Sequence, residues 1–184
     1  MPAPLLAPSL LAGDHANLAG SAAEAAAAGA RWLYLDIMDG HFVPNISFGP
    51  QVVADLRPLT RLHFDVHLML THPDRFIAPF AQAGAERLTV HIEADHDMAR
   101  TLAAIKAAGG VTVALWRPGH ENDNPNRSER ELREYIQKFI DRGCRGKTGD
   151  ALVDLFVVND GGVADLFAQA DRHVVPFVAD RLAA

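Results

Sequence analysis

Leu33-Tyr34-Leu35-Asp36-Ile37-Met38-Asp39-Gly40-His41-Phe42-Val43-Pro44-Asn45, answered by Leu62-His63-Phe64-Asp65-Val66-His67-Leu68-Met69, decides how this chain folds. Both stretches alternate with a period of two, the signature of a β-strand with two chemically distinct faces. Leu33, Leu35 and Ile37 share one face of the first strand, and Tyr34, Asp36 and Met38 share the other. In the second strand Leu62, Phe64, Val66 and Leu68 oppose His63, Asp65, His67 and Met69. An apolar face packs under helices. A face of carboxylate, imidazole and thioether groups suits a lined cavity that carries chemistry.

Strand and helix signals alternate outward from this pair. Apolar residues 5–10 predict a short strand, and Ala-rich residues 17–28 a helix closed by Gly29. A helix is expected at 50–56, and another from Pro73 to about residue 83, where Gly84 ends it. A strand follows at 87–92, a helix at 97–108 ended by Gly109-Gly110, and a strand at 111–115. Strand–helix–strand at this spacing predicts right-handed crossovers and a parallel sheet. The repeated Ala28-Gly29-Ala30 and Ala83-Gly84-Ala85 mark a recurring βα unit. An open doubly wound sheet and a closed barrel share this signature. The polar strand faces favour a TIM-type (β/α) barrel, whose active sites gather at the C-terminal mouth.

After residue 115 the pattern loosens, and 116–150 is a divergent loop and helix region. Ser128 and Glu131 form a capping box for an amphipathic helix over 128–142, with Leu132, Tyr135, Ile136, Phe139 and Ile140 on one side. A glycine-and-charge turn at 143–150 leads to a strand at 152–158, which ends in Asn159-Asp160-Gly161-Gly162. A helix at 163–170 and a strand at 173–178 complete six or seven strands. A full eightfold barrel takes roughly 250 residues. With 184 residues, the expectation is one domain over 1–184 whose barrel is incomplete or rearranged in its C-terminal third.

Composition narrows the function classes. A formal charge of −6 and no Lys/Arg cluster argue against general nucleic-acid binding. Cys144 is the only cysteine, so no internal disulfide forms, in keeping with a reducing cytoplasm. Met1-Pro2-Ala3-Pro4 lacks a signal peptide's basic head, and no apolar run reaches membrane-spanning length. A soluble cytoplasmic protein is expected. An incomplete barrel exposes strand edges and apolar faces, which favours a homo-oligomer.

At these motifs the sequence resembles the ribulose-phosphate 3-epimerase family, built on the ribulose-phosphate-binding type of (β/α) barrel. The resemblance runs through Ala7-Pro8-Ser9-Leu10-Leu11, residues 35–49, Asp65-Val66-His67-Leu68-Met69 and Thr89-Val90-His91-Ile92-Glu93-Ala94, almost without gaps over 5–115. It implies removal of a proton beside a ketone and its return on the opposite face, converting D-ribulose 5-phosphate to D-xylulose 5-phosphate. Such chemistry needs two acid/base groups flanking an enediolate and a positive charge on its oxygens, which a divalent metal supplies.

The resemblance makes Asp36 one catalytic carboxylate and a metal ligand, and His67 another ligand. Asp160 would be the second acid/base group and a further ligand to Zn, Fe or Mn. Ser9, Met38 and Met69 would contact the sugar phosphate, and Gly161 and Gly162 could receive its phosphate on backbone N–H groups. Two departures stand out. Tyr34 occupies the place of a family histidine ligand, and a phenol of pKa ~10 ligates only if the metal strips its proton. His63 and His91 share the inward phase on neighbouring strands and could supply the missing imidazole. The phosphate loop is not recognisable after residue 115, where one strand resembles two different family strands: either a βα unit is deleted or the Asp160-Gly161-Gly162 match is accidental. A rival reading is therefore an epimerase-like barrel that has lost catalysis and binds or oligomerises instead. Among the remaining residues, Asp65 reads as a supporting carboxylate, Asp39-Gly40 as turn chemistry, and His41 as a loop-closing residue. Cys144 has no nearby base to activate it.

Overall fold

The alternation at 33–38 and 62–69 is realised as two adjacent parallel strands. The structure, a computed structural model, describes residues 6–110 and 112–116, together with Glu134, Gln137, Asp141, Gly146–Lys147 and Leu155–Val158. The chain divides into two compact units, Met1–His96 and Asp97–Ala184.

In the first unit β1 (Trp32–Met38), β2 (His63–Met69) and β3 (Arg87–Val90) form a parallel sheet in the order β1-β2-β3. Register pairs Tyr34 with Asp65, Asp36 with His67 and Met38 with Met69. The side-chain alternation therefore puts the polar groups of both strands on one face. On the other, Leu33, Leu35, Ile37, Phe64, Val66 and Leu68 are buried among the core. Two helices of this unit follow the expected pattern. The first, α1 (Leu18–Ala27), is capped by the Asn17 side chain, which accepts from Gly20 N–H, and Gly29 ends it at φ +92°. Pro50 opens α2 (Pro50–Leu56).

Two segments depart from the sequence reading. Of the strand expected at 5–10, the described residues 6–10 contribute a single bridge between Ser9 and Tyr34, with Tyr34 N–H donating to Pro8 C=O, before a 3-10 turn at Leu10–Ala12. Pro8 has no N–H for a longer ladder. The helix expected from Pro73 is a 3-10 turn, Pro73–Arg75, followed by a separate α3 (Ile77–Gln82). Pro79 explains the break, because its ring clashes with the carbonyl four residues back and it cannot donate to it.

Arg57, just after α2, fastens this layer together. Its guanidinium lies 3.9 Å from the centre of the buried Phe64 ring, and donates to Thr60 and Leu62 carbonyls (both 2.8 Å) and to Glu86 Oε2 (3.2 Å). Gly84, at φ +99°, leaves room for it: a Cβ there would lie 2.6 Å from Arg57 Cδ.

In the second unit α4 (Met98–Ala107) is capped by Asp97, whose side chain accepts from Arg100 N–H at 2.9 Å. There β4 (Val113–Trp116) runs parallel to β6 (Leu155–Val158), and β5 (Gly146–Lys147) pairs antiparallel with β6. The turn expected at 143–150 thus contributes a two-residue strand. Within the helix expected at 128–142, Glu134, Gln137 and Asp141 are helical, and Gln137 Nε2 donates to Asp141 Oδ1. The rest of that helix, Cys144, and the elements expected over 159–184, with Asp160, Gly161 and Gly162, lie outside the described residues. Among the described residues no helix is long and apolar enough to cross a membrane.

Candidate active site

Strand pairing brings Asp36 and His67 together. They are register partners near the carboxyl ends of β1 and β2, with His67 Nδ1 3.1 Å from Asp36 Oδ1. The other carboxylate oxygen, Oδ2, accepts from the Ser9 hydroxyl at 2.5 Å. Asp36 is only 8% exposed, so both oxygens are held by protein groups away from bulk water. Ser9 also caps its own 3-10 turn by accepting from Leu11 N–H. Met38 and Met69, register partners one step further along, are half-buried beside this pair.

The backbone beneath Asp36 is fixed by a residue to which the sequence reading gave no role. Ser47 Oγ–H donates to Asp36 C=O (2.6 Å) and accepts from Met38 N–H (3.1 Å). A serine eleven residues downstream in a loop carries no sequence signal for such a role. Asp39 is a second such tie. Its Oδ1 accepts from His41 and Phe42 N–H, and its Oδ2 accepts from Thr71 N–H beyond β2. The turn chemistry expected of Asp39-Gly40 is present, with Gly40 at φ +75°, and His41 closes the loop by contacting Asp39 C=O through Nδ1.

The two candidate replacement imidazoles part company. His63, at the start of β2, is 2.7 Å from Glu86 Oε1 and stacks on Trp32. Four residues separate it from His67, about 13 Å along a strand. His91 reaches: its Nε2 lies 2.6 Å from His67 Nε2, and its ring is tilted by 40° to that of Phe42, with centres 5.2 Å apart. Burial first, and then the neighbouring His67, lower the pKa of His91. Tyr34 sits beside His67, with ring centres 5.4 Å apart. Burial, reinforced by the Asp36 and Asp65 carboxylates, raises the Tyr34 pKa and holds its proton on. Asp65 is buried and receives a hydrogen bond from Arg87 at 2.9 Å, while its Oδ1 has no partner. Burial raises its pKa although Arg87 works in the opposite direction. Among the described residues no three His, Cys, Asp or Glu groups converge on one point as a metal site.

Adjacent parallel βα units with a carboxylate and an imidazole facing each other at the strand ends define an α/β protein with a candidate acid/base site. Residues 5–127 match the ribulose-phosphate 3 epimerase family, and the chain belongs to that family. It is 46% identical over 114 residues to a ribulose-phosphate 3-epimerase of Rhodobacter capsulatus, covering 62% of this chain and 50% of that one. For the enzyme of the same name from Bacillus subtilis the identity is 48% over 113 residues, covering 61% and 52%. For that of Treponema pallidum it is 50% over 116 residues, covering 61% and 53%. The chain thus spans about half the length of the curated relatives it matches. A solved dihydropteroate synthase of Xanthomonas albilineans, with 4-aminobenzoic acid, has a TM-score of 0.45 and 15% identity over 92% of this chain and 67% of its own, a likeness too slight to carry weight.

Proposed function

We propose that the chain provides the acid/base and metal-binding half of a ribulose-phosphate 3-epimerase site, at the mouth of a TIM-type barrel, converting D-ribulose 5-phosphate to D-xylulose 5-phosphate in the cytoplasm. The observation that carries this reading is the in-register pair of Asp36 and His67, with Ser9 on the second carboxylate oxygen.

The donor chemistry suits a divalent ion such as Zn, Fe or Mn. A carboxylate oxygen and an imidazole nitrogen are both ligands such an ion accepts, and Asp36 Oδ1 and His67 Nδ1 lie 3.1 Å apart. Asp36 and His67 would hold it, and Asp160 would complete the set. Tyr34 could join only as a phenolate, which its surroundings oppose. When bound, the ion acts as a Lewis acid toward the oxygens of the enediolate.

The remaining chemistry belongs to side chains. Asp36 takes the C3 proton on one face, and Asp160 returns a proton on the other. Ser9 orients the Asp36 carboxylate through Oδ2 and, with Met38 and Met69, borders the sugar phosphate. Gly161 and Gly162 would offer backbone N–H groups to the phosphate. Assembly of like chains belongs to the same reading, since Ile46 and Leu59 are largely exposed and apolar surface of this kind is buried in oligomers.

The test is NMR-detected deuterium incorporation at C3 of D-ribulose 5-phosphate in D2O with added Zn or Mn. Metal-dependent exchange with formation of the xylulose epimer is expected. Exchange without epimer would remove Asp160 from its role. No exchange by folded protein would overturn the proposal.

A further inference from the structure

The imidazoles of His67 and His91 meet nitrogen to nitrogen at 2.6 Å, so one Nε2 carries a proton and donates to the other. Each ring has a carboxylate at its far nitrogen: Asp36 lies 3.1 Å from His67 Nδ1, and Glu93 lies 3.6 Å from His91 Nδ1. With neutral rings the chain Asp36–His67–His91–Glu93 has two directions. In one, His67 Nδ1–H donates to Asp36 and His91 Nε2–H donates to His67. In the other, His67 Nε2–H donates to His91, the His91 Nδ1–H faces Glu93, and the bare His67 Nδ1 faces the Asp36 carboxylate. Two lone-pair-bearing atoms 3.1 Å apart repel unless a cation lies between them.

We infer that His91 is a positioning residue that holds His67 in its Nε2–H tautomer, leaving Nδ1 free to bind a divalent cation shared with Asp36. The inference rests on the metal-site reading above. Its geometry is that of a ligand histidine whose second nitrogen is tied to an outer partner, with an imidazole as that partner. The fold holds His91 in place for this. Its carbonyl contacts the buried His96 Nε2 at 3.1 Å and accepts from Ala94 N–H at 3.3 Å, and Phe42 covers its ring.

The probe is Zn2+ with the full chain, followed by chelator competition and by long-range 1H–15N spectra of the histidine rings. In the wild type, Zn2+ should shift the Nδ1 resonance of His67 and leave the proton on Nε2. His91→Leu, which removes the acceptor, should weaken Zn2+ binding by about 10- to 100-fold. His91→Gln, whose Oε1 can accept from His67 Nε2–H, should recover most of the loss. A His67 that binds Zn2+ through Nε2 would overturn the inference, and this measurement needs no variant. Wild-type Zn2+ affinity in His91→Leu, or no recovery in His91→Gln, would overturn it while leaving the Asp36–His67 site standing. Failure of the wild type to hold Zn2+ would sink both.

Discussion

Asp39 receives three backbone N–H groups, two from its own loop and one from Thr71 after the next strand. Burial works against its charge, but the N–H groups of Thr71, Phe42 and His41 outweigh it and hold the carboxyl well below its ordinary range. The folded protein therefore binds fewer protons at this site than the unfolded chain, whose carboxyl titrates near pH ~3.9. The stabilisation is fully present above that pH and is lost as pH falls below it. Asp39→Asn should accordingly lower stability at pH 7 and flatten its acid dependence, read as urea midpoints between pH 3 and 7. An equally steep acid loss in the variant would show that other carboxylates dominate. At this scale the sequence placed Asp36 and His67 each on the polar face of its strand, because a period-two strand fixes which side chains share a face, and register pairs them. It did not disclose Ser47, which acts through the backbone of another element, or that His91 and not His63 reaches His67. Reach depends on distance along the strand, and both residues have the same phase.

The helices and strands from 17 to 110 follow their local signals: cap residues, alternation and closing glycines. The one break, in the helix expected from Pro73, comes from Pro79, inside that helix. Glycines that look equivalent in sequence are not equivalent in packing. Gly29 and Gly84 both end helices at positive φ, yet a Cβ at Gly29 meets nothing within 4 Å, while one at Gly84 meets Arg57 Cδ at 2.6 Å. Gly29→Ala should cost about 1 kcal/mol, the backbone penalty alone. Gly84→Ala should cost more by about 1–2 kcal/mol, because Arg57 must leave Phe64 or its carbonyl partners. Thermal melts of the two variants decide this, and equal losses would mean that Arg57 yields freely.

For the whole molecule, parallel βα architecture was legible because several units repeat one pattern. The region beyond 115 was harder to read because its periodicity is interrupted by Asn, Pro and charge, and because one strand carries likenesses to two. The two-residue β5, too short to show any alternation, was missed outright. The three curated relatives compared above are named ribulose-phosphate 3-epimerase. Tyr34 lies beside His67 at the proposed metal site. Tyr34→His should raise Zn2+ affinity at least about tenfold by adding a neutral imidazole donor, measured by chelator competition. Unchanged affinity would mean that residue 34 faces away from the ion.

The (β/α) fold invites treatment as a string of interchangeable modules, each strand-end loop open to grafting without regard to its neighbour. The Asp39 clasp denies that freedom here. One carboxylate closes the loop after β1 and also anchors the chain where it leaves β2, so the first two strand–helix modules form a single block. A loop transplanted between residues 39 and 47 must bring an acceptor for Thr71, or the neighbouring module comes loose with it.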